Sequence, residues 1–448
     1  MRSTRAGILF ACVLLAGGMP AAGQVPSGAE WQARQGEALR RSESILQRAA
    51  AQEGLLAQYQ LMRDAYNASR DPVFRRVFGQ YLSWYQTFIG DYPAAAASFS
   101  IRQSLLPQDH PSPLATPGYS ARNAVEAIAE LARNRRAVFF NEAHNVPLTR
   151  SLTVQLLGRL RAEGFDYFAA ETLSTRDAGL QSRGYPVRAS GFYTREPIAA
   201  EMVRTALKLG FKVIAYESGP DVSGDAREAE QAARLYRQVF QKDPGARLVV
   251  NAGYGHIQES GDFLGGSSMA EHLRKLSGID PLTVEQTVMF PHPSAEDDHP
   301  YYSAVMQALR PQSPIVFEDE AGHPWTLRAG YDVSVFFPPQ VLRHGRPEWL
   351  RLGDLRRPYY ISGSRCLYRY PCLVEARYAD EGEDAIPADR LVLDPAPLNV
   401  MPQQRLPFAQ APADADLYLR PGKYRLTYRR RNGHVAARET ITVPGRPP

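Results

Sequence analysis

The chain has 448 residues, of which 44% are hydrophobic and 22% are charged, with a formal net charge of +5 at pH 7. This is the composition of globular protein with about two or three domains, and it excludes a disordered chain, because such chains are poor in apolar residues. The positive charge is small, and no basic stretch is interleaved with aromatic residues, so the sequence does not indicate nucleic-acid binding.

Residues 1–24 have the pattern of a secretory signal peptide. Two early arginines, Arg2 and Arg5, precede an apolar stretch from about Ala6 to Leu15, and small residues follow. The apolar stretch is too short for a transmembrane helix, and no other apolar run reaches that length. We therefore expect a periplasmic or secreted mature protein without a transmembrane segment. Lipoprotein cleavage at Cys12 is the alternative.

Residues 25–105 are rich in alanine, glutamine, arginine, glutamate and leucine, and the segment contains very little glycine, which predicts helices. Within it, Tyr81 to Phe99 has the pattern of a helical hairpin whose turn is formed by Gly90 and Asp91. Residues 106–120 are proline-rich and are predicted to form a linker.

Residues 121–310 alternate short apolar runs with helical periods. Two helices are predicted between the first three strands, one ending at Gly164 and one at Gly210. Strand, helix and strand at this spacing predict an α/β central domain with a mostly parallel sheet. The predicted strands are Ala137–Phe140, Asp166–Ala170, Lys212–Tyr216, Arg247–Ala252 and Leu282–Phe290.

Residues 311–448 are predicted to form a β-rich, sandwich-like C-terminal domain. Alternating apolar residues on both sides of Asn432 and Gly433 indicate a β-hairpin. Cys366 and Cys372 are six residues apart, and in an oxidising compartment we expect a disulfide between them. This domain carries no catalytic constellation in its sequence, and it is the part through which we expect an envelope partner to bind.

Chemically capable residues stand at the ends of the first four predicted strands. They are Glu142 with His144, then Glu171, then Glu217, and finally His256. The carboxyl ends of parallel strands lie at one edge of the sheet, where α/β proteins bind ligands. We therefore expect these five residues to converge in one catalytic site.

Two kinds of chemistry fit such a set, and the sequence does not choose between them. Glu142, His144 and His256 offer ligands for a divalent cation such as manganese, cobalt or zinc. Without a metal, a carboxylate would activate water while a histidine relays the proton. Either mechanism would act on a small-molecule or peptide substrate.

Three further residues are candidates for substrate contacts. Tyr254 lies between Gly253 and Gly255, which allow close backbone approach to a ligand, and its hydroxyl could donate to a substrate oxygen. Tyr193 and Arg195 precede a predicted helix and could bind an anion or a carbonyl group. Packing of Tyr254 and simple solvation of Arg195 are the competing interpretations.

The stretch from Asn141 to Thr172, NEAHNVPLTRSLTVQLLGRLRAEGFDYFAAET, resembles the superfamily of erythromycin esterases, ChaN-like haem-uptake proteins and Tiki/TraB metalloproteases. The resemblance spans about Ala121 to Phe290. It implies a reactive core of Glu142, His144 and His256, supported by Glu171 and Glu217. Asn141 replaces the usual glycine of the first motif, and asparagine also tolerates a left-handed turn.

Members of that superfamily hydrolyse esters or peptides or bind haem, so the resemblance does not fix one function. The sequence favours a secreted hydrolase that cleaves an ester or amide bond. The alternatives are a protein that binds haem or an iron complex at the same edge, and a non-catalytic protein of the envelope.

Overall fold

The structure is a computed structural model that describes residues 28–219, 221–367, 369–394 and 414–445. The predicted signal peptide and Cys12 lie outside the described residues. The helices are α1 (Gly28–Ala50), α2 (Leu55–Ala68), α3 (Pro72–Phe88), α4 (Tyr92–Ser98), α5 (Ala124–Ala132), α6 (Leu148–Ala162), α7 (Leu180–Arg183), α8 (Pro197–Lys208), α9 (Gly224–Leu235), α10 (Met269–Ser277) and α11 (Pro300–Leu309).

The first eight strands are β1 (Ser120–Asn123), β2 (Ala137–Glu142), β3 (Tyr167–Ala170), β4 (Lys212–Ile214), β5 (Leu248–Gly253), β6 (Leu282–Glu285), β7 (Ile315–Glu318) and β8 (Val333–Ser334). The last eight are β9 (Leu342–Arg343), β10 (Arg346–Pro347), β11 (Arg357–Ile361), β12 (Cys372–Tyr378), β13 (Asp389–Leu393), β14 (Ala415–Leu419), β15 (Gly422–Arg429) and β16 (Val435–Val443).

The N-terminal region is helical, as its composition predicts. Helices α3 and α4 form the expected hairpin, and Gly90 in the turn adopts a left-handed φ of 81° that favours glycine. Asp91 starts α4 by accepting a hydrogen bond from the backbone nitrogen of Ala94 at 3.2 Å. The buried face of these helices is aromatic, and it also packs on Tyr193 of the α/β region.

The centre of the protein is a six-stranded sheet in the order β4-β3-β5-β2-β6-β8. Every pair of neighbouring strands is parallel, which confirms the predicted α/β fold. All residues of β2, β3, β5 and β6 are buried, because helices cover both faces of a parallel sheet. Strand β6 ends at Glu285, well before the predicted end at Phe290.

The α/β region continues beyond residue 310, where the sequence interpretation began the C-terminal domain. Strand β8 adds the sixth strand to the central sheet, and β7 pairs with β1. Both strands are too short to carry a periodic pattern, so their partners depend on tertiary packing. The predicted boundary therefore divides segments that pair with each other.

The C-terminal region contains a four-stranded antiparallel sheet, β13-β12-β15-β16, and a two-stranded sheet, β11-β14. Residues of both sheets share one hydrophobic core, as expected for a small sandwich. The predicted hairpin joins β15 to β16, and Cys366 and Cys372 form the predicted disulfide. Among the described residues, no helix is both long and apolar enough to cross a membrane.

Candidate functional site

The carboxyl ends of the four central strands meet at one edge of the sheet. Glu142 is paired in register with Gly253, and Ala170 with Asn251, so Glu171 follows directly beside the end of β5. The chain then turns through Tyr254–Ile257, a short 3₁₀ segment that contains His256. This arrangement explains why residues more than a hundred positions apart form one cluster.

Glu142 is buried, and both of its oxygens are occupied. Arg150 of α6 donates to Oε2 from Nε at 2.7 Å and to Oε1 from Nη2 at 2.6 Å. Asn251 donates to Oε2 at 2.5 Å. Burial raises the pKa of Glu142, but Arg150 and His144 lower it by more, so the pKa lies well below its usual range. Glu142 is therefore ionised, and its carboxylate is fixed in position.

Glu142 fixes the orientation of the His144 ring. Its Nδ1 lies 3.0 Å from Oε1 of Glu142, and an ionised carboxylate accepts only, so Nδ1 carries the proton. The ring stacks on Tyr193 with centroids 4.1 Å apart, and Tyr254 meets it edge-on at 5.3 Å. With Nδ1 protonated, a neutral ring has its lone pair on Nε2, as a general base requires.

Glu171 lies between the two histidines. Its Oε2 accepts a hydrogen bond from the backbone nitrogen of Gly253 at 2.6 Å, and its Oε1 lies 3.7 Å from Nε2 of His256. Burial raises the pKa of Glu171, whereas His256, His144, Arg227 and the hydrogen bond from Gly253 together lower it below its usual range. The carboxylate therefore adds a fixed negative charge to the centre of the site.

His256 repeats the arrangement of His144 on the other side of Glu171. Its Nδ1 lies 2.7 Å from Oε2 of Glu228, a fully buried residue of α9. Arg227 places Nη1 at 3.2 Å from Nε2 of His256, and a donor at that position needs a lone pair there. Nε2 of His256 therefore carries no proton in this geometry. Glu171 and Glu228 together outweigh burial and raise the pKa of His256.

Arg227 connects the edge of the site to its centre. Its guanidinium donates to Glu217 Oε2 at 2.9 Å and to Glu171 Oε1 at 3.2 Å. Glu217 also accepts from Gln231 at 2.8 Å, and it remains partly exposed. Glu217 therefore positions Arg227, which in turn contacts Glu171 and His256.

A side chain at position 253 would collide with His144 and Glu171, so this position requires glycine. A Cβ built on it would lie 2.4 Å from Cε1 and 2.5 Å from Nε2 of His144, and 3.0 Å from Oε2 of Glu171. Its φ of −77° is accessible to any residue, so turn geometry does not require glycine here. At Gly255, a Cβ would lie 2.5 Å from the ring of Phe263, which packs edge-on against His256.

The three predicted substrate contacts have different surroundings. Tyr193 and Tyr254 both touch His144, and Tyr254 has the left-handed φ of 42°, a strained backbone for a tyrosine. Arg195 instead packs over the ring of Phe192 at 5.3 Å. Burial and Arg188 lower the pKa of Arg195. The structure therefore places the two tyrosines in contact with His144. Arg195 lies against Phe192, which packs on the N-terminal helices.

The predicted metal ligands are bound to other side chains in this arrangement. Within the described ranges, no group of three or more His, Cys, Asp or Glu side chains has the geometry of a metal site. Glu142 is saturated by Arg150 and Asn251, and Arg227 faces Nε2 of His256. Two guanidinium groups would also repel a divalent ion.

Four residues that organise the site were missed from the sequence: Arg150, Arg227, Glu228 and Asn251. A signal existed for one of them. Glu228, Gln231, Ala232 and Leu235 form the buried face of α9 at helical spacing, so Glu228 is a carboxylate on an inward face. Arg150, in contrast, lies in a helix buried on several sides, where periodicity is uninformative.

Asn141 differs from its expected role. It lies within β2, outside the left-handed region, and its side chain joins neighbouring strand ends. It donates to the backbone oxygen of Tyr254 at 3.1 Å and accepts from the backbone nitrogen of Gln286 at 2.6 Å. The asparagine therefore fixes the ends of β2 and β6 to the Tyr254 turn.

No protein-family model matches the chain, and no curated protein matches its sequence. Among solved structures, the type III effector HopBA1 is 15% identical, with a TM-score of 0.29 over 39% of this chain and 88% of that chain. RRSP, a MARTX toxin effector domain from Vibrio vulnificus CMCP6, is 14% identical, with a TM-score of 0.27 over 59% of this chain and 66% of that chain. A structure of bacterial protein toxins is 12% identical over 59% and 68%, with a TM-score of 0.30. Likeness at this level supports no inference about the activity.

Proposed function

We propose that the protein is a secreted hydrolase that cleaves an ester or amide bond with a water molecule activated by His144. One observation carries the proposal: Glu142 holds Nδ1 of His144 at 3.0 Å, while Arg150 keeps that carboxylate ionised. The same relation between a buried carboxylate and an imidazole orients the general base of many hydrolases.

His144 is a better base than the neighbouring carboxylates. The pKa values of Glu171 and Glu142 both lie below their usual range, so neither carboxylate takes a proton efficiently near neutral pH. An imidazole with its lone pair on Nε2 suits that task. Glu142 thus positions the base, which revises the water-activating role that the sequence suggested for it.

In the proposed reaction, Nε2 of His144 accepts a proton from water as the water oxygen bonds to the carbonyl carbon. The carbonyl oxygen becomes an oxyanion in the tetrahedral intermediate. When the bond to the leaving group breaks, the His144 imidazolium returns the proton to the leaving alcohol or amine. Glu142 stabilises the imidazolium throughout, and no net charge is created in the cycle.

We assign stabilisation of the oxyanion to Arg227. Its guanidinium is held by Glu171 and Glu217 and contacts His256. A preorganised donor of this kind lowers the barrier because it needs no rearrangement during the reaction. Glu228 and His256 then act as a support that fixes the guanidinium.

Export from the cytoplasm is the second part of the proposal. The Cys366–Cys372 disulfide supports it, because disulfides form mainly in oxidising compartments. The family resemblance, assistance by manganese, cobalt or zinc, haem binding and an envelope partner for the C-terminal domain all stay predictions.

The test is hydrolysis of nitrophenyl esters and nitroanilides of different acyl length by the purified chain and its variants. We expect turnover by the native protein and a loss of about a thousandfold or more in His144→Ala, as for removal of other general bases. His323→Ala is the matched control, because that side chain is 76% exposed. Equal turnover in native protein and His144→Ala would refute the assignment of the base.

A further inference from the structure

A buried glutamate that lines a cavity beside the proposed site has one carboxyl oxygen without a hydrogen-bond partner. Glu285, at the end of β6, is 4% exposed, and its Oε2 has no hydrogen-bond partner among the described residues. The cavity has a volume of about 160 Å³, far more than one water requires. Arg328 and Tyr331 also line it. Nothing in the proposed reaction uses Glu285.

The hydrogen bonds of Glu285 determine what Oε2 can do. Its Oε1 accepts from the backbone nitrogen of Thr287 at 2.5 Å, from the hydroxyl of Thr287 at 2.7 Å and from Asn141 at 3.4 Å. With Oε1 occupied by donors, the proton of a neutral carboxyl group must reside on Oε2. Burial raises the pKa of Glu285, which favours that neutral form.

Two further residues with donor groups, Arg328 and Tyr331, line the same cavity. Arg328 is anchored by Asp109, which accepts from its Nε at 2.7 Å. Burial raises the pKa of Tyr331, so its phenol stays protonated. A guanidinium, a phenol and a carboxyl group that burial shifts towards its protonated form therefore line one cavity, and together they match an oxygen anion.

A second cavity of about 180 Å³ adjoins the first. The two share Tyr254, Thr287, Val288 and Arg328 in their walls. The remaining wall of the second cavity is largely apolar, formed by Phe99, Ile101, Ala143, Val146, Phe290 and Pro293 among others. Part of this wall belongs to the chain that follows α4, so the helical region contributes to the cavity.

We propose that the two cavities form one binding cleft for a molecule with an apolar body and a carboxylate head, in which Glu285, Arg328 and Tyr331 hold the carboxylate. The apolar body occupies the cavity next to Phe99. Tyr254 lines both cavities and meets His144 edge-on at 5.3 Å. The identification of this ligand with the substrate rests on the proposed hydrolase function, whereas the binding itself does not.

The experiment is isothermal titration of the full mature chain with hexanoate, followed by hexylamine, hexanol and inorganic phosphate. We expect hexanoate to bind at one site per chain. Glu285→Ala and Arg328→Met should each weaken binding about tenfold or more, because each removes a hydrogen bond to a charged group. Glu285→Gln should keep the affinity, since its amide can accept from Thr287 and donate from the position of Oε2.

Controls separate this inference from the proposed function. Arg365→Met, at an arginine that is 61% exposed, should leave hexanoate binding unchanged. His144→Ala should also bind hexanoate, even if it hydrolyses nothing. Binding of hexylamine as tight as that of hexanoate, displacement of hexanoate by equimolar phosphate, or unchanged affinity in both Glu285→Ala and Arg328→Met would each overturn the carboxylate cleft.

Discussion

Replacement of Gly253 by alanine tests the geometry of His144 most directly. The added Cβ would lie 2.4 Å from Cε1 of His144 and 3.0 Å from Oε2 of Glu171. Carbon atoms in ordinary contact are about 3.5–4.0 Å apart, so the imidazole must retreat by about 1 Å. That movement pulls Nδ1 away from Glu142, which holds it at 3.0 Å.

The expected effect on catalysis follows from that displacement. A catalytic group misplaced by about 1 Å can reduce the rate by about a hundredfold, which corresponds to about 2.7 kcal/mol in the barrier. The hydrogen bond between His144 and the charged Glu142 contributes about 1.5–3 kcal/mol when intact, so we expect a loss of folding stability no larger than this.

The assay measures kcat/KM for the best nitrophenyl ester together with the proton-coupled nitrogen spectrum of the His144 ring. Gly158→Ala is the matched control. A Cβ on Gly158 in α6 meets nothing within 4 Å, and alanine should stabilise this helix by about 0.5–1 kcal/mol. Native rates and an unchanged ring spectrum in Gly253→Ala would refute the crowding argument.

Three further outcomes are expected. Arg227→Met should reduce kcat about a hundredfold or more with little change in KM, because oxyanion stabilisation acts in the transition state; a change confined to KM would assign Arg227 to substrate binding. Arg150→Met should destabilise the fold by about 3–5 kcal/mol near neutral pH, since it leaves the buried Glu142 charge unpaired. The pKa of Glu142 is depressed in the folded protein, so the contribution of the pair is complete above the unfolded value of about 4.3 and is lost as the pH falls towards the folded value. Urea denaturation should therefore show the two proteins converging as the pH is lowered, and a constant difference would contradict the sign. Elemental analysis of protein purified without chelators should find substoichiometric manganese, cobalt and zinc, and one tightly bound ion per chain would instead support the metal-assisted mechanism.

Most of the fold was predictable because its elements carry strong local signals. Buried parallel strands read as continuous apolar runs, and the helices between them keep a clear period before Gly164 and Gly210. The strands β7 and β8 were not assigned to the α/β region, because two to four residues give no pattern and their pairing depends on distant partners. For the same reason the predicted strand to Phe290 was too long, since the chain stays apolar after β6 ends at Glu285.

The sequence predicted which residues lie in the candidate site better than it predicted what each residue does there. The sequence places Glu142, His144, Glu171 and His256 at strand ends, and the structure brings these four together at one edge. It also shows that Arg150 neutralises Glu142, a partner that no motif indicated. Arg195 was expected in the site and lies elsewhere, because a loop sequence does not determine the direction of a side chain.

The sequence alone determined which residues occupy the carboxyl ends of the strands, since a parallel sheet places all of those ends at one edge. It also determined the Cys366–Cys372 disulfide, because two cysteines six residues apart can meet in a short loop. The tertiary structure alone decided which atoms remain available for chemistry. Arg150 lies in α6, whereas Arg227 and Glu228 lie in α9. The packing of these two helices on the sheet determines which strand-end side chains they pair with.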